Sequence, residues 1–436
     1  MKNIYIEALG CPKSVVDSEK ITGFFSNSHY RITKDPENAN IIIINTCAFI
    51  EPAREEAIET ILELAKYKNK KGKAEKLIVT GCFVQKSEKE LKQNLPEVDH
   101  FFNLDNIFQI KKIIQTPSKN LLQSRNLLTP NHYAYLKISE GCNNNCSYCT
   151  IPNIRGKLKS LPLPNLLEEA NFLANQGVKE LVLIAQDIGN YGIDIYRKRM
   201  LNELLDRLIE LDRFRWIRLM YLNPENVNTK LINKISQNKV ICNYLDLPIQ
   251  HASDKILNSM NRNTSLAEIR NKIMIIRELI PDITLRTSII TGFPGETEED
   301  FEILLDFLQE VEFTRLGVFK YYREEGTKAA LLPNQVKGET KIERYNEIME
   351  LQREISRKKM LEFVDKKLNV IVDRKISSSV FEARTQYDAP DIDGIVFLEN
   401  IKDKNLNEGD FKKVKIIDSL EYDLIAKEIQ ESNYVK

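Results

Sequence analysis

Three cysteines stand within eight residues in the run Glu140-Gly-Cys-Asn-Asn-Asn-Cys-Ser-Tyr-Cys-Thr150. Cys142, Cys146 and Cys149 are spaced C-x3-C-x2-C. Thiolates are the usual holders of iron–sulfur clusters, and three at this spacing can grip three corners of a [4Fe-4S] cube. The fourth iron is then left without a protein ligand. A fourth cysteine would suggest an electron carrier; an open iron suggests a cluster that binds something. A structural zinc site wants four ligands, often in two pairs, and no second pair or close histidine follows. A disulfide knot does not suit a long chain with 7 Cys and no secretory signal.

Three more cysteines occupy equivalent places in the N-terminal third. Residues 3–9 alternate as a strand, 41–44 are a buried-strand run, and 76–79 are a third. Helical patterns follow over 15–25, 52–67 and 86–95. This alternation predicts a parallel, doubly wound α/β sheet. Ligands of such sheets sit beyond the carboxyl ends of the strands. Cys11, Cys47 and Cys82 each follow one of these strands, about one strand–helix unit apart, so one sheet edge can gather them. Gly10 and Gly81 allow close backbone approach to a bulky ligand. The plainer alternative is three unrelated core thiols; the sharper one is a second three-cysteine cluster with an open iron. Cys242 lies in an apolar stretch with no cysteine nearby and reads as core.

The chain has 436 residues, enough for two or three domains. Its 42% hydrophobic and 29% charged content is that of a globular protein. The 63 basic and 63 acidic residues cancel, which argues against a strong, nonspecific polyanion binder. No apolar run is long enough to span a membrane, and the N-terminus has no signal-peptide core. A cytoplasmic protein with reduced thiols is expected.

The triad, with Tyr148 between its last two cysteines, resembles the radical S-adenosylmethionine (SAM) superfamily. Two three-cysteine sets in this order resemble its methylthiotransferase family, along essentially the whole chain. Gly10-Cys-Pro-Lys-Ser-Val-Val-Asp-Ser-Glu19 resembles the RimO subfamily, whose members modify an aspartate of ribosomal protein S-12. Ser14 replaces an expected asparagine. The tRNA-modifying, MiaB-like relatives usually begin glycine-cysteine-glutamine-methionine-asparagine instead.

Strand-like segments at 133–138, 180–184, 216–221, 244–249, 284–290 and 316–321 alternate with helical patterns. They suggest a partial, open TIM-like (βα)6 barrel, the form that radical SAM cores take, with active residues on loops after the strands. Four such loops resemble family signatures: Ala185-Gln-Asp-Ile-Gly-Asn-Tyr-Gly192, Leu247-Pro-Ile-Gln-His-Ala-Ser-Asp254, Thr291-Gly-Phe-Pro-Gly-Glu-Thr-Glu-Glu-Asp300 and Tyr322-Arg-Glu-Glu-Gly-Thr327. They put forward Gln186, Asp187, His251, Gly292 and Gly295 as contacts to SAM or substrate. His251 can equally be a core histidine bonded to a backbone carbonyl. The Gly-Phe-Pro-Gly run can equally be a turn into a helix capped by Thr297. Arg155 can grip a carboxylate with both nitrogens, or sit solvated on its loop. Leu161 stands where relatives typically show arginine.

Short strands at 368–373, 379–384, 394–398 and 412–418 resemble the small antiparallel TRAM β-barrel. Residues 363–436 carry 12 Lys and Arg against 15 Asp and Glu. That balance opposes phosphate binding and suits a basic protein partner. Asp388-Ala-Pro-Asp-Ile-Asp-Gly394 also looks RimO-like; its alternative is a solvated acidic turn.

The expected domains are 1–118, 128–362 and 363–436. The resemblance implies an enzyme with two [4Fe-4S] clusters that uses two SAM molecules to place a methylthio group on an aspartate β-carbon of S-12. Cys142, Cys146 and Cys149 would hold the cluster that cleaves SAM; Cys11, Cys47 and Cys82 would hold the auxiliary one. No catalytic residue beyond these ligands is assigned. A flavodoxin- or ferredoxin-like reductant is implied, with no membrane and no nucleic acid as direct substrate. The alternatives are a tRNA methylthiotransferase acting on a modified adenosine, a non-enzymatic iron–sulfur carrier and a zinc-stabilised RNA-binding protein.

Overall fold

The computed structural model describes residues 2–25, 29–69, 72–114, 125–401, 403 and 405–429. Its first sheet holds β1 (Lys2–Ala8), β2 (Tyr30–Ile32), β3 (Ile41–Thr46), β4 (Lys76–Gly81) and β5 (His100–Phe102). All pairings are parallel, in the order β2-β1-β3-β4-β5. The isoleucine run of β3 is wholly buried because both faces of the sheet are covered. Helices α2 (Glu51–Asn69) and α3 (Cys82–Asn94) pack Ile61, Leu64 and Leu91 against Ile42, Ile44, Leu77 and Val79. On the other face α1 (Pro12–Gly23) packs Ile21 against Ile4, Ile43 and Ile78. This is the doubly wound arrangement expected. β2 and β5, three residues each, are too short to show a period in sequence. The boundary expected near 118 lies outside the described residues.

The second sheet runs through β6 (Tyr133–Lys137), β9 (Glu180–Ile184), β10 (Trp216–Leu219), β11 (Ile241–Asp246), β12 (Thr284–Thr291) and β13 (Arg315–Lys320). A small ladder, β7 (Ser139–Glu140) with β8 (Lys159–Ser160), lies between the first two. The six long strands are parallel neighbours in the order β13-β12-β11-β10-β9-β6 and leave the barrel open. Leu136, Leu181, Leu183, Ile217, Leu219, Leu245 and Leu285 join the core with the surrounding helices. Alternate residues face the other way, as a strand requires. That inner lining is polar and aromatic: Tyr133, Tyr135 and Lys137 on β6, Glu180 on β9, Arg218 on β10, Tyr244 and Asp246 on β11.

The third unit is a closed five-stranded barrel of β14 (Lys367–Lys375), β15 (Phe381–Thr385), β16 (Val396–Glu399), β17 (Phe411–Ser419) and β18 (Leu424–Glu428). The sequence reading had no counterpart for β18. The antiparallel expectation holds at four of five seams; β16 and β18 run parallel. Directions cannot alternate all the way round a ring of five, so one parallel seam is unavoidable.

This small barrel packs against the inner lining of the large one. Glu180 accepts hydrogen bonds from Arg218 Nε (2.7 Å) and Arg384 Nη1 (2.8 Å), and Arg384 also grips Asp373. The acidic loop after β15 is tied inward through its carboxylates, although Asp391 and Ile392 are exposed, so it is not a freely solvated turn. Asp388 accepts from Arg315 at 2.5 Å. Asp391 accepts from the Tyr133 and Tyr135 hydroxyls, each at 2.9 Å, and Asp393 from the Tyr244 hydroxyl at 2.7 Å. Replacing Glu180 with alanine leaves the buried Arg218 guanidinium without its carboxylate and Arg384 with Asp373 alone. An expected loss of about 3–5 kcal/mol is checked by urea unfolding of the Glu180→Ala protein against the parent.

Candidate active site

β1, β3 and β4 are adjacent strands, and the first cysteine set lies at their shared carboxyl edge. Cys11 is the N-cap of α1, Cys47 follows β3 directly, and Cys82 opens α3 directly after β4. The flanking glycines are required by space and backbone. At Gly10 (φ +93°) a Cβ would lie 2.7 Å from Cys47 Cβ, and at Gly81 (φ +104°) it would lie 2.4 Å from the Thr46 carbonyl. Burial pushes the Cys82 thiol up to about 12. Burial also opposes ionisation of Cys11, but the Lys13 and Arg155 charges and two backbone N–H groups outweigh it and hold that thiol below its usual value.

The second set follows β7 at the carboxyl end of the barrel's first strand. Burial pushes Cys142 up to about 11 and Cys149 up to about 12. Asp187, itself buried, organises this loop. Its carboxylate accepts from Asn144 Nδ2 (3.1 Å), Asn190 Nδ2 (2.8 Å), Asn226 Nδ2 (2.8 Å) and the backbone N–H groups of Gly189 and Asn223. Arg262 lies beside Cys146 and Tyr148, fixed by Asn223 Oδ1 at 3.0 Å and the Pro248 carbonyl at 2.8 Å. Sequence reasoning missed Arg262, which stands in no recognisable motif and reaches the triad only through folding.

A charged cluster joins the two edges. Arg155 Nη1 donates to Asp17 Oδ2 on α1 (3.1 Å) and to Glu140 Oε1 on β7 (2.8 Å). Lys137 on β6 binds the same two carboxylates, and Gln186 Nε2 reaches Glu140 Oε1 at 3.1 Å. Arg155 is buried, not solvated, because it meets these two carboxylates and lies beside Cys82 and Cys11. Burial works against ionising Glu140, yet the Lys137 and Arg155 charges hold it far below the usual carboxylate range.

Gln186 and Asp187 thus stand beside the 142–149 loop. His251, Gly292 and Gly295 form a separate group. The Gly292 and Phe293 N–H groups donate to Glu296 Oε2 (2.8 and 3.0 Å), and His251 Nε2 lies 3.6 Å from the same oxygen. His251 Nδ1 accepts from the Ser253 N–H rather than meeting a backbone carbonyl. The Gly295 N–H donates to the Asn334 carbonyl. Thr297 caps the following helix in a capping box with Asp300, so the turn-and-helix alternative is real whatever else the loop does.

Among the described residues no three His, Cys, Asp or Glu side chains converge as ligands of one ion. Thiolates of a cube bind different irons and stand farther apart, so two three-thiol groups suit clusters better than single zinc ions.

Residues 3–103 match the protein family UPF0004, 136–308 the radical SAM superfamily and 364–429 the TRAM domain. A ribosomal protein uS12 methylthiotransferase RimO from Clostridioides difficile is 45% identical across 99% of this chain and 100% of its own length. The RimO protein of Acetivibrio thermocellus is 44% identical across 99% of each. This chain belongs to the RimO family. It is a radical SAM methylthiotransferase, and an iron–sulfur cluster and SAM are its cofactors. Among solved structures, the radical SAM methyltransferase TsrM of Kitasatospora setae shares the fold at a TM-score of 0.53 and 12% identity, covering 73% of this chain and 75% of its own. The cobalamin-dependent enzyme OxsB aligns at a TM-score of 0.50 and 11% identity, over 79% of this chain and 56% of its own. No described helix of the RimO-family chain is long and apolar enough to cross a membrane.

The thiol shifts set an order of reactivity in cluster-free protein. A lowered pKa gives more thiolate at pH 8, and the thiolate is the nucleophile. Iodoacetamide is therefore expected to label Cys11 before Cys82, Cys142 and Cys149, as read by peptide mass spectrometry over time.

Proposed function

We propose that this enzyme replaces a C–H bond with C–SCH3 on the β-carbon of an aspartate in ribosomal protein uS12, consuming two SAM molecules. The observation that carries the reading is the pairing of two three-cysteine edges, one from each sheet, across the Asp17–Arg155–Glu140 link. Cys142, Cys146 and Cys149 hold one [4Fe-4S] cluster, and Cys11, Cys47 and Cys82 hold the other. When bound, the clusters supply the electron that cleaves SAM to a carbon radical and a site for the transferred sulfur. The protein's own groups position these parts. Asp187 fixes the triad loop through Asn144 and ties it to Asn190 and Asn226 on neighbouring loops, and Arg155 sets one edge against the other. Gln186, His251, Gly292 and Gly295 are proposed as SAM-side contacts, with Gln186 nearest the triad through Glu140.

A protein substrate is favoured over tRNA by the acidic balance of residues 363–436, 12 Lys and Arg against 15 Asp and Glu, and four of the cations there are held by carboxylates. Arg374 pairs with Glu382, Arg384 with Glu180 and Asp373, Lys412 with Asp403 and Glu428, and Lys415 with Asp365. Paired cations attract phosphate weakly. The proposed setting is the cytoplasm, with a flavodoxin- or ferredoxin-like reductant.

The test is anaerobic reconstitution followed by SAM, dithionite and either uS12 or unmodified tRNA. A mass gain of one SCH2 unit on an aspartate peptide of uS12 is expected. The same gain on an adenosine selects the tRNA reading instead. Deoxyadenosine without either product leaves the radical chemistry and removes the substrate. Replacing Cys142 with alanine is expected to halve the iron content of the reconstituted protein, and so is Cys82→Ala, since each set holds one cluster of equal size.

A further inference from the structure

Five exposed cations stand on one side of the cysteine triad. Lys157 and Lys159 lie on the segment that leads away from it, and Arg197, Lys198 and Arg199 follow the short helix Ile193–Tyr196. The two segments make one surface. The Ser160 N–H donates to Asp194 Oδ2 at 2.8 Å, the Gly192 N–H to Ser160 Oγ at 2.9 Å, and the Leu163 N–H to the Tyr196 hydroxyl at 2.8 Å. Arg197 closes the helix in left-handed backbone at φ +58°, so the chain turns there with three exposed cations in succession.

Acids are few beside them, in a chain whose charges otherwise cancel. Residues 156–167 carry two lysines and no carboxylate, and residues 195–202 carry three cations and none. Lys198 lies 3.3 Å from Glu203, a water-exposed pair of little worth. Among the described residues the other four cations make no ion pair. Asp194 is taken by the Ser160 N–H, and Glu140 by Lys137 and Arg155. Ile195 is exposed beside the three cations of its own segment.

Directly behind this surface lies the triad. The Cys142 N–H donates to the Gly156 carbonyl at 3.1 Å, and the Leu158 N–H to Asn143 Oδ1 at 3.0 Å. At Gly141 (φ +70°) a Cβ would lie 2.2 Å from the Lys157 carbonyl, so glycine is what lets the two segments come this close. One layer of backbone thus separates the lysines from the triad loop.

We propose that this surface docks an acidic one-electron carrier and is where the electron for the triad's cluster enters. This rests on the reading of Cys142, Cys146 and Cys149 as holders of a cluster. One electron passes from the reduced carrier to the oxidised cluster, and no bond is made or broken. Electron-transfer encounters are small and steered by charge. Unpaired cations beside one exposed isoleucine have that character. An RNA backbone carries the same sign as the carrier, but RNA has no need to lie close to the triad, and an electron donor does, because transfer weakens steeply with distance.

The test uses the reconstituted holoenzyme and a purified acidic flavodoxin. Two quantities are read at low salt before any substrate is added: the dissociation constant for oxidised flavodoxin, and the rate at which reduced flavodoxin bleaches the cluster absorbance. Neither depends on which molecule is methylthiolated. The double variant Lys159→Glu, Arg199→Glu is expected to weaken binding and slow reduction by roughly 10-fold or more, while dithionite reduces parent and variant alike. Raising the ionic strength is expected to bring the two proteins together. If charge reversal lowers the iron content, Lys159→Gln with Arg199→Gln takes its place. Flavodoxin binding and reduction equal to the parent's overturn the proposal. So does an equal slowing with dithionite, which marks damage to the cluster site. Loss of affinity for small ribosomal subunits with flavodoxin binding intact overturns it in favour of RNA. A parent that holds no iron overturns the cluster reading instead, and is seen before flavodoxin is added.

Discussion

Two buried cations and two half-buried carboxylates fix how the first sheet meets the second. Lys137 and Arg155 come from the barrel, Asp17 from α1, and Glu140 from the strand leading into the cysteine triad. Removing any one member leaves an uncompensated charge in a poorly solvated place, which is far more costly than the net worth of the intact group. The cluster thus tolerates little change in the relative position of the two edges. Cys11 and Asp17 flank the first turns of one helix, and Glu140 lies two residues before Cys142. Holding these carboxylates against shared cations holds the two cysteine sets in a constant relation.

The opposite end of the barrel has a related solution. The inner lining of the open barrel mixes polar and charged groups with Val182, Ile184 and Cys242, which pack in one cluster with Ile371 and Ala389 of the small barrel. The small C-terminal barrel meets it with carboxylates for the tyrosine hydroxyls and Arg315, and with Arg384 for Glu180. The acidic balance of this domain is therefore in part a property of the interface inside the chain. Of its other described cations, Arg374, Lys412 and Lys415 are paired on its own surface.

The thiols show how the site depends on what it binds. The buried Cys82 and the half-buried Cys149 resist ionisation on their own. Coordination removes that resistance, because a thiolate shares its charge with the metal and coordinating thiols deprotonate outright. Cys11 differs because Lys13 and Arg155 lie close to it. The two edges are thus electrostatically unlike although each presents three cysteines.

Much of the site was legible in the sequence because its signals are local. A triad with two fixed gaps, glycines before Cys11 and Cys82, and apolar runs followed by amphipathic ones all act within one strand–helix unit. Parallel topology then carries Cys11, Cys47 and Cys82 to one edge with no long-range information needed. Charge partners were not legible, since they join residues far apart in the chain. Arg384 meets Glu180 across 204 positions, and Tyr133 meets Asp391 across 258. Hence the inward contacts of Asp388, Asp391 and Asp393 were not legible, and Arg262 was not seen at all. The three-residue strands β2 and β5 were missed because a strand that short shows its identity only in its pairing. Sequence alone determined which atoms could bind iron and on which sheet edges they would lie, because spacing and periodicity are properties of neighbouring residues. Only the tertiary structure decided which charges are matched, because burial and pairing arise from contacts between separate domains.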